Sequence, residues 1–458
     1  MGNGGKIVSE VTSNQRIWMY PKLIKGKLYR YRNLLSYVLL ALLFSAPFIK
    51  INDEQLVLLD VLERKFVIFG ILFMPQDFYL FVLALLSFTV FIVLFTAIFG
   101  RVWCGWACPQ TIFMEMVFRK IEYWIEGDAK QQKELNAAPP SVNKIFKKTL
   151  KHTIFILISF LIANVFLAYI ISSETLIRII TEPVQQHISG FISICIFTGV
   201  FYLVFARLRE LVCTVICPYG RLQEVLLDRK TLVVAYDYMR GEPRGHLQKT
   251  AVSELGDCVD CGLCVQVCPT GIDIRQGTQM ECINCTACID ACDMVMEKTH
   301  RPLRLIGFKS EEGISTGKAF RFSKRIYAYG VIMVLLFGTL TTLLLKRSDI
   351  GATILRASGT LYQLREDGTV SNLYNAELIN KTSGPLKFRI TMPDDRTTIQ
   401  YINHSTTIKR GESVKITFFL IRPQHYINEY KSGITLGIES DGKVIAKAKT
   451  TFIAPPNL

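Results

Sequence analysis

Eight of the chain's thirteen cysteines lie between residues 258 and 292, and none follows. Cys258, Cys261, Cys264 and Cys268 obey C-x2-C-x2-C-x3-C with Pro269 next; Cys282, Cys285, Cys288 and Cys292 repeat the spacing, with Asp293 in the proline's place. Thiolates are soft ligands that suit iron–sulfur clusters, and a tight loop offers three of them to one cluster while the fourth of each run reaches the other. The expected sets are therefore Cys258, Cys261, Cys264 and Cys292 for one [4Fe–4S] cluster, and Cys282, Cys285, Cys288 and Cys268 for the second. Two such clusters mean one-electron transfer. Gly262, Gly271 and Gly277 are expected to relax the backbone where it folds close around a cluster. A pair of structural zinc sites is the bland alternative, but zinc motifs rarely tighten to three cysteines at this spacing. Clustering of this kind marks a metal or redox site in a reducing compartment, not a disulfide scaffold.

Four more cysteines form a repeat. WCGWACPQ and VCTVICPY each carry C-x3-C-P, at Cys104, Cys108 and at Cys213, Cys217, with Glu115 and Glu224 each seven residues past the second cysteine. Pro109 and Pro218 suit the first position of a helix, which places each second cysteine at a helix entrance, where thiolate is favoured over thiol. Phe113, Val117, Ile121 and Trp124 fall on one expected helical stripe, suited to lying along a membrane interface. Four converging thiols make a candidate copper or redox site, since soft sulfur suits Cu(I). The alternative is that these are small buried hydrophobes at a bend. Met114 and Met116 are read as packing before thioether ligands, Cys195 as packing, and His246 and His300 as solvated. His152 and His187 lie near opposite ends of their segments, which argues against a shared haem.

The elements that position these residues are apolar. Phe78–Phe99 runs 22 residues without a charge, about 33 Å as a helix and enough to cross a hydrocarbon core. Five spans are expected: 34–49 (short), 78–99, 153–171, 188–206 and 326–345. The expected division is a segment 1–33, a four-helix membrane core 34–206 with both repeats, a loop 207–325 whose ferredoxin core covers about 250–300, a fifth span 326–345 and a domain 346–458. Basic residues number 7 in 1–33, 9 in 100–151 and 17 in 207–325, against 3 in 50–77 and 1 in 172–187. That bias puts the N-terminus and the large loops in the cytoplasm and the tail outside. Lys346 and Arg347, on the outer end of the fifth span, resist; Lys318, Arg321, Lys324 and Arg325 on its inner end outvote them.

The tail from about Asp349 alternates in hydrophobicity, with turns at Asp367-Gly368, Ser383-Gly384-Pro385, Arg410-Gly411 and Asp441-Gly442. Many short strands at that spacing predict a β-sandwich. Half the chain is hydrophobic and its mean hydropathy is +0.30, which excludes a wholly soluble enzyme and a disordered chain. The net charge of +15 reads as inner-face charge, not nucleic-acid binding, with a secondary role in docking anionic redox partners. GNGG at 2–5 follows no strand, so no dinucleotide site is expected.

On GRVWCGWACPQTIFMEMVFRKIEYWIEGD, VCTVICPYGRLQ and the CPTGIDIR and CINCTACIDACDMVM blocks, the sequence resembles the cytochrome c oxidase accessory protein family (CcoG, FixG, RdxA), membrane polyferredoxins. The resemblance covers nearly the whole chain. It implies a bacterial inner-membrane protein with an immunoglobulin-like C-terminal domain, aiding biogenesis of a cbb-type oxidase and reducing Cu(II) to Cu(I) for its copper centre. Oxidase subunits or copper chaperones are then the expected partners, and the electron donor is cytoplasmic or a quinol. Two rival readings stand: an electron-transfer subunit of a quinol-oxidising chain, and an assembly scaffold whose clusters sense redox state.

Overall fold

The computed structural model describes residues 18–246 and 255–455, apart from 52–53, 62–64, 74–76, 349, 358, 360, 383, 393–395, 404, 428 and 441 and the side chains of Lys65, Arg221 and Glu224. The GNGG segment, parts of the turns at 383 and 441, and the Glu224 carboxyl therefore lie outside the described residues. The chain divides into two compact units. One holds the residues through Ile49 with Leu83–Phe337, the other Lys50–Val82 with Gly338–Leu458.

Among the described residues, four helices are long and apolar enough to cross a membrane: Phe78–Phe99, Val142–Ile171, Ile188–Leu208 and Lys324–Leu345. The expected span at 34–49 is not among them. A helix does run from Lys27 to Ser45, but Lys27, Arg30 and Arg32 occupy its first half. Its uncharged part, from Leu34 to Ser45, is about 18 Å long, short of the roughly 30 Å core. Its N-terminus is held instead by the ferredoxin segment, where Asp290 accepts from the backbone N–H groups of Leu28 at 3.1 Å and Tyr29 at 2.7 Å. A carboxylate there also answers the helix dipole.

In the first unit, Phe113, Met114 and Phe118 from the segment after the first C-x3-C-P pack with Phe155, Ile162 and Phe205 from the spanning helices. Phe118 stacks on Phe205 with centroids 4.5 Å apart. Met114 and Met116 are both buried, as core. The anticipated single stripe is broken: Phe113 is 2% exposed and Trp124 78%. Phe113–Phe118 is π-helical, and its wider turn shifts the phase of all that follows. Beside this core lies a buried ionic network. Arg209 donates to both oxygens of Glu122 at 2.7 and 2.9 Å, Glu126 is held by Lys151 at 2.9 Å and Lys148 at 2.8 Å, and Arg119 pairs with Glu115. Removing one member of such a buried pair costs about 3–5 kcal/mol, so the network locks the interface helix to the spans.

The second unit is a β-sandwich. Strands Thr398–Tyr401, Ser413–Pro423, Thr369–Asn380 and Ile350–Arg356 make one antiparallel sheet, and Arg389–Thr391, Lys431–Ser440 and Lys443–Ile453 the other. Alternate residues Tyr374, Ala376, Leu378, Ile416, Phe418 and Leu420 of the first sheet meet Leu436, Ile438 and Phe452 of the second. This is the half-buried alternation read from sequence. The Tyr374 hydroxyl, buried between them, donates to the Thr451 carbonyl at 2.8 Å. Residues 50–77, expected only as a loop, form small strands around Leu58, Val67 and Leu72 in the same unit.

Candidate iron–sulfur and thiol centre

Two cavities sit side by side in the ferredoxin segment. One, with about 20 Å³ of free space, is lined by Cys258, Cys261, Cys264 and Cys292 with Tyr236, Leu305 and Ile306. The other, also with about 20 Å³ of free space, is lined by Cys268, Cys282, Cys285 and Cys288, with Cys264 shared, by Val234, Pro269, Ile272, Ile274 and Ile283, and by Thr270 and Thr286. The last cysteine of each run thus sits in the cavity built by the other run. Four sulfurs in an apolar chamber are the donor set that an iron–sulfur cube requires.

The chain reaches this geometry by left-handed turns. Gly262 has φ +63°, Gly271 +74° and Gly277 +97°, and Thr286 takes φ +65° at the place equivalent to Gly262 in the second run. A threonine there costs about 1–2 kcal/mol relative to glycine. Gly262 and Thr286 each open the short helix that carries the run's third cysteine. Asn284 ties the second loop to its surroundings, accepting from Val234 N–H at 3.2 Å and donating to the Phe99 carbonyl at 3.4 Å.

The C-x3-C-P turns meet at the second cavity. Cys104 packs with Ile283 and Cys285 in one apolar cluster. A Cβ on Gly105 would come within 2.9 Å of the Cys285 Cα, so only glycine allows this approach. Cys213 lies within electrostatic reach of Cys108, Cys104 and Cys217, and Cys104 within reach of Cys108 and Cys217. The repeat therefore brings its four thiols into one neighbourhood. Among the described residues, however, no group of three or more His, Cys, Asp or Glu is drawn tightly enough to hold a single ion.

Cys104 belongs to the helix Val102–Trp106, whereas Cys108 is the extended cap residue before Pro109–Ile112, so no continuous turn runs through both. The first cysteine of each pair stands away from the helix entrance and is governed by burial. Burial pushes Cys104 up to about 11 and Cys213 up to about 12, only partly opposed at Cys104 by Arg101. Desolvation dominates because the charged form is what burial disfavours. Burial likewise pushes Cys264 and Cys285 up to about 11 and Cys282 and Cys292 up to about 12. Metal-free protein thus holds these thiols protonated at neutral pH, and binding must expel the protons. Iodoacetamide labelling of Cys104 and Cys213 in metal-free protein, followed by mass spectrometry, should be slow at pH 8, where roughly one thiol in a thousand or fewer is ionised, and rise steeply toward pH 11. Labelling at pH 8 as fast as that of a free cysteine would contradict the burial account.

Other candidates behave as separate residues. Cys195 is exposed on its helix, not packed as expected. His152 accepts or shares a hydrogen bond with the Tyr202 hydroxyl at 3.0 Å, and His187 is paired with Glu182. His246 and His300 are exposed. Asp290, Asn284, Arg101 and Gln223, each placing part of the centre, escaped the sequence reading because their partners lie far along the chain; only the position of Thr286, matching Gly262 in the duplicated spacing, left a signal.

Comparison with known proteins agrees with this geometry. Family models described as "4Fe-4S dicluster domain" and "4Fe-4S binding domain" match residues 208–311 and 81–127. One described as "IG-like fold at C-terminal of FixG" matches residues 340–455. Protein RdxA of Cereibacter sphaeroides is 34% identical over 399 residues, 84% of each chain. The chain belongs to the FixG/RdxA family. Nitrogen fixation protein FixG of Rhizobium meliloti is 34% identical over 404 residues, 79% of this chain and 76% of FixG, and RdxB of Cereibacter sphaeroides 33% over 393 residues, 82% of each. As a FixG/RdxA-like protein, the chain is a membrane electron-transfer protein of the 4Fe–4S type.

Proposed function

We propose that the chain passes electrons through two [4Fe–4S] clusters to copper held near Cys104, Cys108, Cys213 and Cys217, reducing Cu(II) to Cu(I) for assembly of a cbb-type cytochrome c oxidase. Cys258, Cys261, Cys264 and Cys292 would hold one cluster, and Cys268, Cys282, Cys285 and Cys288 the other. When bound, these groups supply one-electron steps. The observation that carries the copper reading is proximity: Cys104 shares one small buried cluster with Ile283 and Cys285, and the neighbouring Gly105 lies against the Cys285 backbone. An electron at the second cavity therefore adjoins the four thiols, and soft sulfur favours Cu(I) over Cu(II). One electron leaves the protein for each Cu(II) reduced.

The N-terminus, 100–151 and 207–325 are placed in the cytoplasm and the C-terminal domain in the periplasm of a bacterial inner membrane. The basic-residue bias supports this, as does the inclusion of 50–82 and 338–458 in one compact unit. This sidedness needs an odd number of crossings, and the apolar run 34–49, with charged residues at its cytoplasmic end, would be the fifth, residues 46–49 adding to the uncharged turns of the short helix. The sandwich would grip oxidase subunits or copper chaperones.

Anaerobically purified protein, chemically reduced, should generate Cu(I) from Cu(II), read with a Cu(I)-specific chelator. The double variant Cys104→Ser with Cys108→Ser should lose at least tenfold in rate with iron unchanged. A parental rate in that variant moves the copper site elsewhere; reduction driven only by quinol would instead favour the quinol-oxidising alternative.

A further inference from the structure

Arg101, between the span Phe78–Phe99 and the first C-x3-C-P turn, is 5% exposed. Its Nε donates to Gln223 Oε1 at 2.8 Å, and its Nη1 to the Met280 carbonyl. Gln223, on the helix after the second C-x3-C-P and 0% exposed, accepts at the same oxygen from Cys104 Sγ at 3.5 Å. The other guanidinium nitrogen lies 2.9 Å from where a Cβ on Gly220 would stand. With Met280, Cys282 and Asn284, Arg101 also lines a small cavity beside the second cysteine chamber. One planar cation thus touches the first repeat, the second repeat and the ferredoxin loop, which a guanidinium's fixed fork of donors can do and an ammonium cannot. Among the described side chains no carboxylate pairs with it, so its charge is available to its surroundings.

We propose that Arg101, clamped by Gln223, is a positioning residue that holds the first C-x3-C-P turn against the second cysteine cavity and raises the reduction potential of the cluster bound there. The proposal rests on the two-cluster reading but not on copper. Reduction adds negative charge, and an unpaired buried cation at the edge of the cavity stabilises that state more than the oxidised one. The other cavity, lined by Cys258, Cys261, Cys264 and Cys292, has no contact with this guanidinium.

The test is a redox titration of anaerobically purified full-length protein, both cluster signals being followed by electron paramagnetic resonance and assigned by which one Cys268→Ala removes. In Arg101→Gln the reduced-to-oxidised ratio of the assigned cluster should fall about tenfold at a fixed poise, equivalent to about 59 mV for one electron. The second signal should not move. Arg101→Lys, which keeps the charge and loses the fork, should recover most of that ratio. If Arg101→Gln fails to load the second cavity, Gln223→Met carries the test, since it leaves the guanidinium and removes its tether; a smaller fall in the same cluster supports the proposal. Equal ratios in parent and loaded Arg101→Gln, equal shifts in both clusters, or parental ratios in Gln223→Met overturn it. Absence of both signals from the parent would instead refute the two-cluster reading.

Discussion

Cys292→Ala should cost the chain the cluster of Cys258, Cys261 and Cys264, although Cys292 is only four residues from Cys288 and twenty-eight from Cys264. Cys268→Ala should do the reverse and spare that cluster. The reason is the crossed lining of the two cavities, in which Cys292 and Cys268 each face the other run. Parental protein should bind about eight iron atoms and each variant about four, because three thiolates leave one cube corner to water. Iron analysis and low-temperature electron paramagnetic resonance on protein kept free of oxygen check both points. Two variants that each lose the cluster of their own sequence run would replace crossed ligation with sequential ligation. Zinc in place of iron in such protein would refute the clusters altogether.

The cysteine spacing was legible because cluster ligation imposes a local pattern: three thiols within seven residues must curl around one centre, and the glycines that permit the curl lie inside the same segment. Four spans were legible because lipid demands contiguous apolar runs, and a strand of the sandwich announces itself by alternation. What stayed hidden is contact between distant residues. Arg101 and Gln223 are 122 positions apart, as Arg209 and Glu122 are 87 apart, and neither pair has a local signature. The Lys27–Ser45 helix is only half legible. Its apolar half looks like part of a span, while its first turn is positioned by Asp290 from the ferredoxin segment. The π-helical turn at Phe113–Phe118 likewise defeats any reading that assumes 3.6 residues per turn throughout. At the C-x3-C-P turns the proline correctly placed each second cysteine at a helix entrance, whereas the burial that keeps Cys104 and Cys213 protonated is decided only by the folded chain.

Asp77→Ala should unfold or badly loosen the second unit at temperatures where the parent stands. Asp77 is 4% exposed and accepts from Arg347 Nη2 at 2.7 Å and from Lys381 Nζ at 2.6 Å. It joins the end of the helix Lys324–Leu345 to the sandwich through one carboxylate. Burial alone would raise its pKa, but hydrogen bonds from Lys381 and Arg347 outweigh it and hold the carboxyl below its ordinary value. A depressed folded pKa stabilises the fold above the unfolded value, near 3.9, and that contribution is lost as pH falls through the folded value. Acid below about pH 4 should therefore loosen this unit in the parent. Alanine does so at every pH, leaving two buried cations without their anion at a cost of about 3–5 kcal/mol, a large share of the 5–15 kcal/mol typical of a domain. Asp77→Asn should cost less at pH 3 than at pH 7, because below the unfolded value near 3.9 the unfolded parent binds the proton more readily than the folded one and the carboxylate's contribution shrinks. Thermal scans of the full-length protein with limited proteolysis of the sandwich give the measurement, and iron content should stay parental because the cysteine cavities belong to the other unit. A proteolysis midpoint within about 0.5 kcal/mol of the parent, the scatter of ordinary surface changes, would show the triad to be incidental. The same triad gives Arg347, the basic residue on the end of the helix where positive charge was not expected, a structural role: its charge is answered within the fold by Asp77.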